Sequence, residues 1–356
     1  MILKLLAKSG SFARARLFVG ITGVGGVLLI SIAALVIDLP ELVFAEQGGS
    51  FFVDFTLFAL WLCGCALITL PFEWLGGVGV PAVYSREYTS KIEWFWSWLF
   101  GIMILVLLGS ISGAAISLGG RLGGAFGASL ALILASLVLV LSQGTLATVV
   151  GRLHAVQTSQ TNLREALELV GSRCPPLIFV DAKNTAFTGG IVGFPTAEKC
   201  IFPASWATEL NPASLAALIA RRASVINRGL RICGVGLAIL WVVFAFFLAS
   251  NMPGAGVDTV AAICRTSLWF NLMTFVGLLL LPTLSRKGTL AADAHMLEAY
   301  PQFAQPWADA LHYVNNKLGD EPSRSRAIES VFYPIPNVES RIAVSGTLKP
   351  AVQPWH

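Results

Sequence analysis

Long apolar runs, set apart by short polar stretches, constrain this chain more than any other feature. Leu17–Ile37, Phe55–Phe72, Trp94–Leu118, Leu122–Leu141, Ile232–Ala249 and Ser267–Leu284 contain no Asp, Glu, Lys or Arg. A helix of ~20 apolar residues crosses the hydrocarbon core of a bilayer, and few other structures can hold so much uncharged chain. Hydrophobic residues make up 55% of the 356 and charged ones 12%, with a mean hydropathy of +0.73. A soluble domain carries about twice that share of charge. The runs therefore predict an integral membrane protein with about six transmembrane helices.

Loop charge sets the expected orientation. Lys4, Lys8, Arg14 and Arg16 precede the first run, whereas the loop Asp38–Ser50 carries Asp38, Glu41 and Glu46 and no Lys or Arg. The positive-inside rule puts the N-terminus in the cytoplasm. The first run is too long for a signal-peptide core and lacks a small-x-small cleavage site, so it is read as a retained span. Arg86 and Lys91 return the next loop to the cytoplasm, and Trp94, Phe95, Trp96, Trp98 and Phe100 form an interfacial belt. Gly109/Gly113 and Gly123/Gly127 are small-xxx-small pairs, expected to pack the third and fourth spans as a hairpin. Arg286 and Lys287 bring the tail back to the cytoplasmic side. The net charge of +4 sits beside the spans and speaks for topology, not for nucleic acid. Six cysteines, two of them (Cys63, Cys65) inside a span, show no zinc-finger or redox spacing.

Four segments follow: a four-helix membrane region (1–142), a polar part (143–228), a transmembrane hairpin (229–284) and a second polar part (285–356). The first polar part reads as an amphipathic helix at Thr161–Val170, a break at Pro175-Pro176 and a strand at Leu177–Asp181. A hairpin follows, built from AFTGGIVGF and KCIFPAS around Gly189-Gly190 and a turn at Pro195. Next comes a helix with Asn211 as N-cap and Pro212 in its first position, burying Leu215, Leu218, Ile219 and Ile226. The second polar part opens with an Ala-rich helix, Leu290–Tyr300. Both polar parts lie on one side, so they are expected to form one discontinuous cytoplasmic α+β domain interrupted by the hairpin.

The ordered set NTAFTGG, LNPASLAALIA, a span hairpin, SRKGTLAADA and IPNVESRI resembles the HtpX-like membrane zinc metallopeptidases, relatives of the CAAX-prenyl proteases. The likeness runs over roughly residues 150–350 and implies a zincin-like domain. In that family the LNPASLAALIA-like stretch leads into HExxH: two histidines one turn apart for zinc, a glutamate base between them, and a third ligand from the later helix. Carried over position by position, the first histidine falls on Arg221, the base on Arg222, the second histidine on Val225 and the third ligand on Thr289. The closing histidine falls on Ile335. Arginine offers only donors and stays charged, so it serves neither as ligand nor as base. The resemblance thus implies a degenerate member, a pseudoprotease with no metal and no cofactor.

What the family pattern keeps is structural. Asp293 survives, and Arg221 or Arg222 is expected to pair with it in the place of the zinc; the alternative has both arginines facing solvent or lipid phosphates with Arg228 and Arg231. The strand region with Ala186, Phe187 and Ile191 also survives, and in zincins such an edge holds a peptide as an added strand. His154, His295, His312 and His356 lack a second ligand at helical spacing, and no nucleophile elbow, Walker motif or dinucleotide fingerprint is present.

The expectation is a binding or scaffolding subunit with both termini cytoplasmic in an inner (cytoplasmic) membrane. Its partners would be lipid and membrane proteins, an active homologue or a larger complex, and not nucleic acid. An active zinc protease is the first alternative, opposed by the lost ligands. A channel or transporter is the second, opposed by the uncharged spans.

Overall fold

The computed structural model describes residues 11–45, 49–86, 90–157, 161–171, 174–182, 186–194, 197–320, 329 and 332–347. Lys4, Lys8, Glu46, Asn184, Thr185 and Pro195 lie outside these. In chain order the helices are α1 (Phe12–Val36), α2 (Leu39–Phe44), α3 (Phe51–Trp74, carried through a π-turn at Leu75–Gly79 to Val83), α4 (Lys91–Leu141) and α5 (Gln143–Val150). They continue with α6 (Thr161–Val170), α7 (Trp206–Glu209), α8 (Pro212–Asn227), α9 (Leu230–Ser250), α10 (Val260–Ala299), α11 (Ala304–Leu318) and α12 (Val338–Thr347). The strands are β1 (His154–Ala155), β2 (Leu177–Asp181), β3 (Gly190–Val192) and β4 (Lys199–Pro203). The chain divides into two compact units, Met1–Leu141 with Leu237–Gly277, and Ser142–Gly236 with Leu278–His356.

Five helices among the described residues are long and apolar enough to cross a membrane. The longest, α4, is not one rod. At Gly123 (φ −143°, ψ 20°) and Gly124 (φ 56°, ψ −147°) the backbone leaves the helical region, a turn that the positive φ of Gly124 reserves for glycine. The two arms then touch backbone to backbone, because a Cβ on Gly119 would strike the Gly127 carbonyl and one on Gly127 the Gly119 carbonyl. The fold-back is as expected, but its glycines are assigned differently. Gly109 and Gly113 receive Leu62 and Phe58 of α3, so that pair seats α4 on α3 and does not close the hairpin. Small residues admit a close neighbour without specifying which one.

Charge in this unit gathers just outside the apolar runs. Asp54, in the first turn of α3, is fully buried and accepts a 2.6 Å ion pair from Arg121 beside the glycine turn. Arg265 pairs with Asp38, the left-handed residue that starts α2. The last long apolar helix also differs from expectation: α10 runs unbroken for 40 residues, so Leu290–Ala299 continues the apolar segment and is not a separate tail helix.

The second unit is a four-stranded sheet, order β1-β2-β4-β3, packed on helices. β2 runs parallel to β4, and β3 antiparallel, with Ile178 and Gly190 both registered on Ile201. β1 was not anticipated, since two residues carry no readable alternation. The core is centred on α8. Asn211 caps it, its side-chain oxygen accepting from Ser214 N–H at 2.7 Å, and Pro212 fills the position where no donor is needed. Leu215, Ala216, Ala217, Ile219 and Ala220 are buried against Phe202, Trp206, Met296, Phe303 and Trp307. Such burial contributes about 1.5–3 kcal/mol for each large side chain, which anchors the helix whose C-terminal half carries the questioned positions.

Candidate functional site

α8 presents Arg221 and Arg222 on consecutive positions, and the helix turn sends them to different partners. Arg221 reaches α10, donating from Nε to Oδ1 of Asp293 at 3.1 Å. Asp293 is fully buried and is shared: Arg341 of α12 donates from Nε to Oδ2 at 2.7 Å and from Nη2 to Oδ1 at 3.1 Å. A buried carboxylate between two guanidiniums is well satisfied, since an ionised acid accepts several bonds and bidentate arginine geometry suits it. Arg341 also lies over the Trp307 ring, 5.0 Å from its centre. Burial holds the Arg221 pKa below its ordinary value; Asp293 opposes that shift and Arg341 adds to it.

Of the two arginines expected to offer a partner for Asp293, Arg221 provides it, and Arg222 does not join this cluster. Its guanidinium turns to the sheet and donates to the carbonyls of Ile201 (2.5 Å), Thr188 (2.5 Å) and Gly190 (3.4 Å). The register explains why the Thr188 oxygen is free for it. Gly190 pairs with Ile201, so Thr188 would next face Pro203, which has no N–H to give. Arg222 supplies the missing donor at the end of the ladder and stacks on Phe202 at 3.8 Å. Gly189 is required here: its φ is +69°, and a Cβ would collide with the Ile201 carbonyl. Burial lowers the Arg222 pKa to about 10, still well above neutrality.

The remaining predicted positions are less engaged. Val225 and Thr289 are half-buried, and Ile335 is exposed. Of the three edge-strand residues only Ile191 lies in a strand; Ala186 and Phe187 precede β3 in a turn and an irregular stretch, because the ladder stops where Pro203 stands opposite. Alternation along β3 turns the N–H and C=O of Ile191 away from β4, and neither has a partner among the described residues. Arg228 meets His295 at 2.7 Å, and His295 meets Glu298 at 3.1 Å, a surface triad and not a ligand set. Arg231 pairs with Glu198 at 2.9 Å, so neither Arg228 nor Arg231 stands alone. Cys200 is buried, which pushes its thiol up to about 11 and disqualifies it as a nucleophile at neutral pH.

Arg341 was missed as a site residue, although it stands in the ESRI stretch. One local signal pointed to it: Asn337 caps α12, accepting from Ser340 N–H at 2.7 Å, which fixes the following turn and the direction of Arg341. A zinc ion of the kind the resembled family holds does not fit these residues. Two guanidiniums, a valine and a threonine offer it no histidine and no carboxylate apart from Asp293, which is already saturated by arginine. Among the described residues no group of three or more His, Cys, Asp or Glu is gathered anywhere.

The crystal structure of S. mikatae Ste24p is similar to this chain with a TM-score of 0.68, over 80% of this chain and 74% of that one, at 12% sequence identity. At that identity the likeness is one of fold: this is a multi-helix membrane protein of Ste24p-like architecture. No protein-family profile and no curated protein sequence matches the chain.

Proposed function

We propose that this chain is a non-hydrolytic relative of the membrane zinc metallopeptidases that binds protein segments and serves as a subunit of a membrane complex. One observation carries the reading: the helix that resembles the metal helix carries two arginines, one locked on Asp293 and one on the sheet. A site arranged this way repels Zn²⁺ and holds no base to activate water. The ordered motifs and the Ste24p-like fold support the kinship. The free edge at Ile191 supports strand addition, a binding mode that needs no metal.

The two arms of α4 bring the count of crossings to six, with the Ser142–Gly236 and Leu278–His356 unit in the cytoplasm by the loop charges. Metal analysis of the full chain purified in mild detergent, together with identification of co-purifying chains, tests the reading. The expected result is far less than one zinc per chain, stability indifferent to chelator, and a membrane-protein partner. One tightly bound zinc whose removal abolishes proteolysis would overturn it.

A further inference from the structure

The Arg221–Asp293–Arg341 cluster is short of negative charge. Two guanidiniums share one carboxylate, which leaves a net +1, and Asp293 is already filled by three donors. Neither Nη of Arg221 nor Nη1 of Arg341 has a hydrogen-bond partner among the described residues. These nitrogens are not sealed away, since the Arg221 side chain is 24% and that of Arg341 13% exposed. Two half-buried forks with spare N–H groups and a deficit of charge are complementary to one planar or tetrahedral anion.

We infer that Arg221 and Arg341 form a seat for the carboxylate of a peptide laid along the open edge of β3, so that this site takes an anion where the family it resembles holds a cation. The inference rests on the binding reading given above and names the chemistry of the bound segment. A peptide is favoured over a lone ion because Arg222, next to Arg221 in sequence, is bonded to Thr188 and Gly190 at the start of that strand. The unused Ile191 N–H and C=O offer an extended chain two backbone bonds. The carboxylate can come from an acidic side chain or from a chain end, and both sources present the same two oxygens.

Three fluorescent octapeptides of alternating Thr and Val separate the sources when titrated onto the full chain in detergent: one with a central Glu and an amidated end, one with a central Gln and a free end, one with neither carboxylate. One of the first two is expected to bind at least about tenfold tighter than the third, an advantage of ~1.4 kcal/mol. Arg221→Leu should erase the preference, and Arg221→Lys, which keeps a cation beside Asp293, should reduce it while preserving the fold. Arg228→Gln, on the same helix but engaged with His295, should leave it intact. Equal binding of all three peptides would remove the seat and leave strand addition standing. Binding of inorganic phosphate lost in Arg221→Leu, with no binding of any peptide, would assign the arginines to phosphate and overturn the peptide. Zinc-dependent cleavage of the peptides would overturn the reading beneath both.

Discussion

Asp293→Ala is the sharpest probe of the cluster. The carboxylate is fully buried and receives three hydrogen bonds from two arginines, at 2.7, 3.1 and 3.1 Å. Removing one partner of a buried ion pair costs about 3–5 kcal/mol, because the charge left behind is neither solvated nor matched. Here two charges are left, and they repel each other. Water reaches part of each, since Arg221 is 24% and Arg341 13% exposed, so the low end of that range, about 3 kcal/mol, is expected. For a unit of this size about 2–4 °C accompanies each kcal/mol, giving a drop in Tm of roughly 6–12 °C. Thermal unfolding of the full chain in detergent reads this, with limited proteolysis near α12 reporting release of the helix that Arg341 holds. Asp293→Asn, which keeps the shape and loses the charge, should fall between wild type and Asp293→Ala. A Tm change below ~2 °C for Asp293→Ala would refute the argument, because solvated arginines lose at most ~1 kcal/mol with an exposed partner.

Three further outcomes are expected. Arg222→Met leaves the Thr188, Gly190 and Ile201 carbonyls without their side-chain donor and should cost about 2–3 kcal/mol, read by hydrogen exchange at β3 and β4. Gly119→Leu should prevent the α4 arms from closing and lower the yield of folded protein, whereas Gly123→Ala, which meets nothing within 4 Å, should be tolerated. The Glu209 carboxyl is held below its usual pKa by hydrogen bonds from Lys317 and Tyr313, so the unfolded chain takes up protons first and the stability this group adds is lost as pH falls below ~4. With the Glu209 side chain 39% exposed the effect is small, and Glu209→Gln should cost less than about 1 kcal/mol and flatten the acid limb of the stability curve.

Much of the architecture is readable from the residues because its cause is local. The apolar runs report length against bilayer thickness, and Asn211-Pro212 marks the α8 start through its own capping bond. What escaped notice depends on distant partners. Gly109 and Gly113 announce a close approach, but only the fold names Leu62 and Phe58 as the visitors. The apolar run of α10 reads as ending at Leu284 because the Arg286-Lys287 pair follows it, yet the apolar and polar halves share one helical path. At the site, the approach of Arg221 to Asp293 is legible from the motif order, since Arg221 stands at one position the family uses and Asp293 one helical turn from another, Thr289. The second grip by Arg341 and the diversion of Arg222 are not. The latter turns on Pro203, nineteen positions earlier and silent about its missing proton until the strand register is known.

That diversion bears on the routes by which this sequence could change. Placing glutamate at 222 would set an anion against three carbonyl oxygens and an aromatic face that now welcome a cation. The step would lose the clamp and supply no ligand at 221, 225 or 289. Installing a water-activating base at 222 is therefore uphill by itself. In this respect the sheet, more than positions 221, 225 and 289, stands against a carboxylate there.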